Sequence, residues 1–295
     1  MKKWLIERVV ARFGEREVCN DSSADVAVVA ATGFHVRRLV PEGMGLFEFA
    51  RPVAEKAAEG VEGIKAVIAA TFSSPERFPA LSVRLAGALG LTASTMAFDL
   101  QMACSAYPYA IYLATRIASD LGGRVLVVDA DIQSHFVNPA DAATAIVMDD
   151  AATATIVSAG DGEAHRDFAF LSTPSDALFC SANGPIRMDG FKVYSFVARD
   201  VVKFLRPFGT DFDMFVPHRA NLYMVRQLAK ALRLEEKLVP PADARFANPG
   251  SSSIPATLAL AGRPGTALIA GFGAGLSASA GIVTLPESFT AEVIP

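Results

Sequence analysis

The chain predicts an α/β fold in which parallel strands are covered by helices on both faces. Short apolar, β-rich runs alternate with helical patterns along the whole length, as crossover connections require. The composition is 52% hydrophobic and rich in Ala, Val and Leu, which suits strands buried on both sides. No low-complexity linker interrupts the 295 residues, enough for one large domain or two fused halves. In order, Val26–Ala31, Ala66–Thr71, Met96–Leu100, Arg124–Asp129 and Ala145–Met148 read as strands of a first half. Phe168–Ser172, Met214–Val216, Ala267–Phe272 and Ala280–Leu285 read as strands of a second. Helical patterns fall at Phe47–Glu59, Pro79–Leu89, Tyr107–Leu121, Lys192–Leu205 and Leu222–Leu234. The polar stretch Ser158–Asp167 is the nearest thing to a seam. It divides the chain into residues 1–160 and 161–295.

The formal charge is −4 and the pI near 5.6, without the basic excess of a nucleic-acid footprint. No apolar run approaches the roughly 20 residues of a membrane span, and no signal core follows Lys2 and Lys3. Cys19, Cys104 and Cys180 are an odd set without metal-ligand spacing, which points to a reducing cytoplasm and no structural metal.

Cys104 is the centre of the functional reading. An apolar strand stops at Asp99–Leu100 and a helical pattern begins at Tyr107. A cysteine at such a junction meets the unpaired N–H groups of a helix N-terminus, which favour its thiolate. Ala103, Ser105 and Ala106 leave room for a thioester. His218 follows Pro217 at a strand exit, and Asn248 precedes the turn-forming Pro249–Gly250. Gly271-Phe-Gly-Ala-Gly275 ends a strand with glycines that bring N–H groups close to a ligand. It lacks the spacing of a dinucleotide fingerprint, so it reads as support for an oxyanion and not as a cofactor site. Cys, His and Asn in these settings are the parts of a thiolate acyl-transfer site.

The chain resembles the thiolase-fold condensing enzymes, most closely the β-ketoacyl-acyl-carrier-protein synthase III group. The likeness rests on Ala31–Arg38, Ala70–Pro79, Ala103–Tyr107, Met188–Tyr194, Val216–Asn221, Asn248–Pro255 and Gly271–Gly275. The family's Val-Pro-His-Gln-Ala-Asn stands here as Val-Pro-His-Arg-Ala-Asn, and its Gly-Asp-Gly-Ala-Gly as Asp149-Asp-Ala-Ala-Thr153. The resemblance implies a five-layer αβαβα sandwich of two pseudo-duplicated halves, assembled as a homodimer. It implies a decarboxylating Claisen condensation between a Cys-bound acyl group and a malonyl-carrier thioester, with no bound cofactor. Cys104 would be the nucleophile, with His218 and Asn248 supporting decarboxylation and the enolate. The N–H groups of Cys104 and Ala274 would form the oxyanion hole. Phe78, reaching across the dimer, would line the acyl pocket with Met102 and Tyr107.

Departures from the family refine the partners. The tryptophan and arginine with which typical members grip the adenine of coenzyme A have no counterpart: the sole tryptophan is Trp4, and Ala142 stands at the arginine's place. This favours a carrier-protein donor over coenzyme A. The family's docking arginine is Tyr223 here, and Arg219, Arg226 and Lys230 could take its role. Two alternatives share the same site: acyl transfer to a hydroxyl or amine, or thioester hydrolysis, without condensation. A third is a non-catalytic partner subunit of a condensing heterodimer.

Overall fold

The computed structural model describes residues 5–20, 26–159, 167–182, 184–239 and 246–295. Its fourteen strands among these residues are β1 (Leu5–Phe13), β2 (Arg16–Cys19), β3 (Val36–Leu39), β4 (Ile64–Ala70), β5 (Met96–Leu100), β6 (Arg124–Ile132), β7 (Asp150–Ser158), β8 (Phe168–Ser175), β9 (Leu178–Phe179), β10 (Arg187–Met188), β11 (Met214–Pro217), β12 (Gly265–Gly273), β13 (Gly275–Leu285) and β14 (Thr290–Ile294). The helices are α1 (Val26–Thr32), α2 (Leu46–Ala58), α3 (Leu81–Ala88), α4 (Ala106–Leu121), α5 (Ala142–Ala145), α6 (Gly190–Phe196), α7 (Leu222–Leu232) and α8 (Ser253–Ala261). A wider helical turn over Val197–Val201 carries α6 on to Leu205.

The pairing pattern is duplicated. In the first half β1 is antiparallel to β7, β7 to β6, and β6 runs parallel to β4, which runs parallel to β5. In the second half β8 is antiparallel to β13, β13 to β12, and β12 runs parallel to β11. A parallel bridge from Phe215 to Leu238 stands where a fifth strand would be. The two arrays meet edge to edge at Leu5 and Thr284, and the C-terminal strand β14 returns to pair with β1.

Three apolar cores separate five layers. Val125 and Val127 of β6 face a central core with α4 and α8, while Leu126 and Val128 face a second core with α2 and α3. Leu268, Ala270 and Phe272 of β12 face a third core under α6 and α7. Covering both faces explains why β6 reads as a continuous apolar run instead of alternating. α8 is buried on every side from Ser253 to Ala259, as a helix between two sheets must be.

Two strand expectations are corrected. Val26–Ala31 forms α1, not a strand. It pairs with no sheet, and the Thr32 hydroxyl donates back to Val28 O at 2.9 Å. The strand beside β7 is instead β1, so sheet partners and not intrinsic β propensity decided the matter. Ala145–Met148 is a turn, and the strand begins at Asp150. A carboxylate can open this buried strand because Asp150 Oδ2 accepts from Val40 N–H at 3.0 Å and from the Ser134 hydroxyl at 2.7 Å. The expected seam at Ser158–Asp167 falls largely outside the described residues, as does Trp4. No helix among the described residues is long and apolar enough to cross a membrane.

Candidate active site

Strand β5 ends at Leu100, and a tight turn over Ala103–Ser105 leads straight into α4. Ala103 takes a φ of 43°, an unfavourable left-handed conformation for a residue with a Cβ. This sharp turn points Cys104 across to the hairpin of β12 and β13. A Cβ on Gly273 would lie 2.8 Å from Cys104 Cβ and 3.2 Å from Sγ, and one on Gly271 would lie 2.9 Å from Cys104 O. Glycine at these two positions is therefore demanded by close approach, not by turn preference alone. Ala274 sits at the hairpin tip between the two strands. The backbone N–H groups of Cys104 and Ala274 act on Sγ in the direction that favours its thiolate. These are the two donors expected to make the oxyanion hole.

The thiol is 8% exposed. Burial, and then the charge of Asp131, push its pKa up to about 12 against the two N–H groups. The expected thiolate is therefore not the resting form: desolvation outweighs the helix N-terminus. Asp131 is itself held by the segment after β4. Its Oδ1 accepts from Thr71 Oγ1, Phe72 N–H, Ser73 N–H and Ser73 Oγ at 2.9–3.2 Å. Burial nevertheless raises it to about 6. Asp129, two residues before it on the same strand face, is driven well above the carboxylate range by burial.

His218 follows β11, and its N–H donates to Ala270 O at 2.7 Å, fixing it beside β12. Its Nδ1 lies 2.8 Å from Ser253 Oγ, at the start of α8. That oxygen also accepts the Arg219 N–H at 3.2 Å. With the Ser253 hydroxyl donating to Nδ1, the imidazole proton lies on Nε2. Burial holds the ring's pKa down to about 3, opposed by a hydrogen bond with the Gly250 backbone. The ring is a neutral donor at physiological pH. Its edge meets Phe272 at 5.4 Å between centroids.

Asn248 is held from several sides. Its N–H donates to Val147 O at 3.0 Å. Its carbonyl accepts from Asp149 N–H at 3.0 Å and from Gln133 Nε2 at 2.7 Å. Its Oδ1 accepts the Gly250 N–H at 3.0 Å, which commits the oxygen and leaves the side-chain NH2 as the group that can serve a ligand. The next turn, Gly250–Ser252, packs against the turn that carries Cys104. The fold thus brings the Cys104, His218 and Asn248 segments together, and each side chain is buried.

The other expected site residues separate. Met102 is half-buried beside the nucleophile turn. Tyr107 is fully buried in the central core, its hydroxyl 3.3 Å from Thr155 Oγ1. It is a core side chain under α4, because the first turn of that helix faces the sheet. Phe78 is 85% exposed. Arg226 and Lys230 are exposed one turn apart on α7. Arg219 is not a surface cation: it is 3% exposed, and its guanidinium donates inward to backbone carbonyls. It precedes α7, where the chain still runs through the core. Sequence reasoning missed Ser253, Gln133, Asp131 and Asp149. Ser253 and Asp149 lay inside stretches already singled out; Gln133 and Asp131 carried no local signal, since only the fold brings them to the site. Among the described residues no cluster of His, Cys, Asp and Glu could hold a metal ion.

The model of 3-oxoacyl-[acyl-carrier-protein] synthase III matches residues 98–176, and the model of that family's C-terminal part matches residues 209–285. The β-ketoacyl-[acyl-carrier-protein] synthase III of Rubrobacter xylanophilus is 32% identical over 253 residues, covering 79% of this chain and 80% of that one. The crystal structure of a 3-oxoacyl-(acyl-carrier protein) synthase from Burkholderia xenovorans superposes with a TM-score of 0.88 at 25% identity, over 99% of this chain and 97% of that one. The priming β-ketosynthase of a polyketide biosynthetic pathway superposes at 0.86 and 25% identity, over 98% of each chain. Matches of this extent, on both halves and through the Cys104 and His218 segments, mean that the chain belongs to the 3-oxoacyl-(acyl-carrier-protein) synthase III family.

Proposed function

We propose that the protein is an acyltransferase that condenses a Cys104-bound acyl group with a malonyl thioester, releasing CO2, in fatty acid or polyketide-type biosynthesis. The observation that carries this is the meeting of two pseudo-equivalent helix starts: Cys104 before α4, and Asn248 with Ser253, the partner of His218, at α8. In the first half-reaction Sγ attacks the thioester carbonyl, the Cys–acyl bond forms, the donor's C–S bond breaks and the departing thiolate takes the thiol proton. The N–H groups of Cys104 and Ala274 hold the oxyanion. In the second, the malonyl carboxylate leaves as CO2. His218 Nε2–H and the Asn248 amide stabilise the enolate on the thioester oxygen. The enolate carbon then attacks the acyl carbonyl, and the Cys–acyl bond breaks to release the Cys104 thiolate, which takes a proton from solvent to return the thiol.

A neutral His218 suits this role, since a donor without charge can hold an enolate without first losing a proton to it. The resting thiol is neutral as well, so the substrate must displace its burial before it ionises. The malonyl group arrives on an acidic carrier protein steered by Arg226 and Lys230, both exposed on α7. Phe78 projects from the body to reach a second copy in a cytoplasmic homodimer and help line that copy's acyl pocket, with Met102 near the nucleophile.

Intact-protein mass spectrometry with acyl-coenzyme A and, separately, acyl-carrier protein should show one acyl adduct, absent in Cys104→Ser. Adding malonyl-carrier protein should discharge it with formation of a β-ketoacyl product and one CO2. Discharge as free acid or as an ester, with no CO2, would replace condensation with hydrolysis or plain acyl transfer.

A further inference from the structure

Two buried polar side chains, the Arg219 guanidinium and the Asp149 carboxyl, converge on the peptide that delivers Asn248. Arg219 reaches it from one side: Nε donates to Ala247 O at 3.1 Å and Nη2 to Phe246 O at 2.9 Å. Its guanidinium lies 4.3 Å from the centroid of the Phe246 ring and 5.3 Å from that of Phe34. Asp149 reaches it from the other: Oδ2 accepts the Ala247 N–H at 2.6 Å, and its own N–H donates to Asn248 O at 3.0 Å. The second carboxylate oxygen accepts the Arg38 N–H, tying β3 to the same point. Both side chains are buried, and burial pushes the Asp149 carboxyl up to about 8; the buried guanidinium is the charge whose cost the geometry must repay.

Arg219 also touches the other half of the enolate pair. Its backbone N–H donates to Ser253 Oγ, the oxygen bonded to His218 Nδ1. One residue thus links the histidine's hydroxyl partner to the carbonyls immediately before Asn248. These two positions are also among the chain's departures from its family's motifs: the arginine replaces a glutamine, and Asp149 replaces a glycine. A glycine has no carboxylate to receive the Ala247 N–H, and a glutamine lacks the guanidinium fork that spans two carbonyls.

We propose that Arg219 and Asp149 are a coupled pair of positioning residues that fix Asn248 relative to His218, gripping the Phe246–Ala247 peptide by its carbonyls and its N–H. This rests on the enolate role proposed above for Asn248. The pair has no contact with Cys104 in the structure, so it serves the second half-reaction and not the first.

The test separates the two half-reactions in the full-length protein. Self-acylation of Cys104 is followed by mass, and malonyl-carrier decarboxylation by CO2 release, in Arg219→Gln, Arg219→Lys, Asp149→Asn and the Arg219→Gln/Asp149→Asn double variant, with Asn248→Ala alongside. A displacement of about 1 Å in a reacting group costs about 10²-fold. Arg219→Gln should therefore lower decarboxylation by about 10²-fold and leave acylation within about twofold. Arg219→Lys should behave like it, since an ammonium cannot span both carbonyls. The double variant should lose little more than the worse single variant, because both act on one peptide. Should Arg219→Gln not fold, Asp149→Asn, which exchanges one oxygen for NH2, carries the same expected split. Parallel loss of both half-reactions, unchanged decarboxylation, or strictly multiplicative losses in the double variant would overturn the proposal. If Asn248→Ala itself decarboxylates normally, the enolate role fails first, and the positioning role with it.

Discussion

The two halves of this protein build the same corner twice and use it differently. In the first, β5 leads through a tight turn with Ala103 at a φ of 43° into α4. In the second, the chain runs through Asn248 and a tight turn with Gly250 at a φ of 60° into α8. Both turns end against the central layer, and they pack on each other. The first corner presents a nucleophile held by backbone: two N–H groups on Sγ and two glycines that allow the approach. The second presents side-chain donors held by side chains: Ser253 on His218, and Gln133, Asp149 and Arg219 on the Asn248 strand. On the function proposed above, the duplicated fold supplies one entrance for a covalent bond and one cradle for charge. The two can be disabled independently.

The largest expected separation comes from the nucleophile corner. Cys104→Ala should abolish acyl adduct formation while the His218–Ser253 bond and the Asn248 strand stand. Decarboxylation of malonyl-carrier protein should persist at a measurable rate. An adduct of unchanged stability in this variant would break the comparison at its root. Gly273→Ala sharpens it: a Cβ there falls 2.8 Å from Cys104 Cβ, and the residue's φ of 157° is one that side chains rarely adopt. Acylation should fall by about 10²-fold with decarboxylation changed much less, measured on the same two assays.

The pH profile distinguishes the corners by electrostatics. Burial puts Cys104 at about 12 and His218 at about 3, so neither titrates near neutrality in the empty site. Acylation by a small thioester should rise about tenfold per pH unit from pH 6 to 9 without a plateau, since the thiolate fraction rises by that factor. A plateau above pH 8 would mean that the helix start, not burial, governs the thiol. Decarboxylation should not fall between pH 6 and 7, where the imidazole stays neutral and the Asp149 carboxyl, raised to about 8 by burial, stays protonated.

Much of this was legible in the sequence, and the exceptions share a cause. The strand–helix junction at Cys104, the Pro217–His218 exit and the Asn248 turn are local patterns, and each is where the residues put it. The α4 and β6 segments were legible because apolar residues at helical spacing and a long apolar run are local too. Val26–Ala31 was misread because it is β-rich but has no strand beside it, while β1 stayed hidden behind Glu7, Arg8 and Arg12. Arg8 and Arg12 are accommodated by carbonyls of α2 and its C-terminal end and by Pro295. The apolar run Ala145–Met148 drew the expected strand away from the acidic pair Asp149 and Asp150, and Arg219 looked like a surface cation. Their carboxylates and guanidinium are instead satisfied by backbone groups far away in sequence. A single chain does not reveal such long-range partners.

A smaller effect concerns the cradle's own support. Ser253→Ala removes the hydroxyl that is bonded to His218 Nδ1 and accepts the Arg219 N–H. One hydrogen bond contributes about 0.5–1.5 kcal/mol, so the decarboxylation rate should fall by about threefold to tenfold with acylation unchanged. A loss equal to that of His218→Ala would mean that the serine takes part in the proton chemistry itself and not only in holding the ring.

The smallest expected effect lies outside both corners, on the exposed face of α7. Arg226 and Lys230 are one helical turn apart and exposed, where single charges contribute little to equilibrium affinity. Their effect should appear in association rate, which falls with ionic strength because a Debye length near 8 Å at physiological salt screens them. Arg226→Glu should thus lower kcat/KM for a carrier-bound malonyl group several-fold at low salt, with the gap closing as salt rises. It should leave a small malonyl thioester untouched, since that substrate has no acidic surface to steer. Paired kinetics on the two substrates across a salt series decide it. Equal loss on both substrates would place Arg226 in support of α7 and Asn221, its N-cap, and would move carrier recognition to another face of the protein.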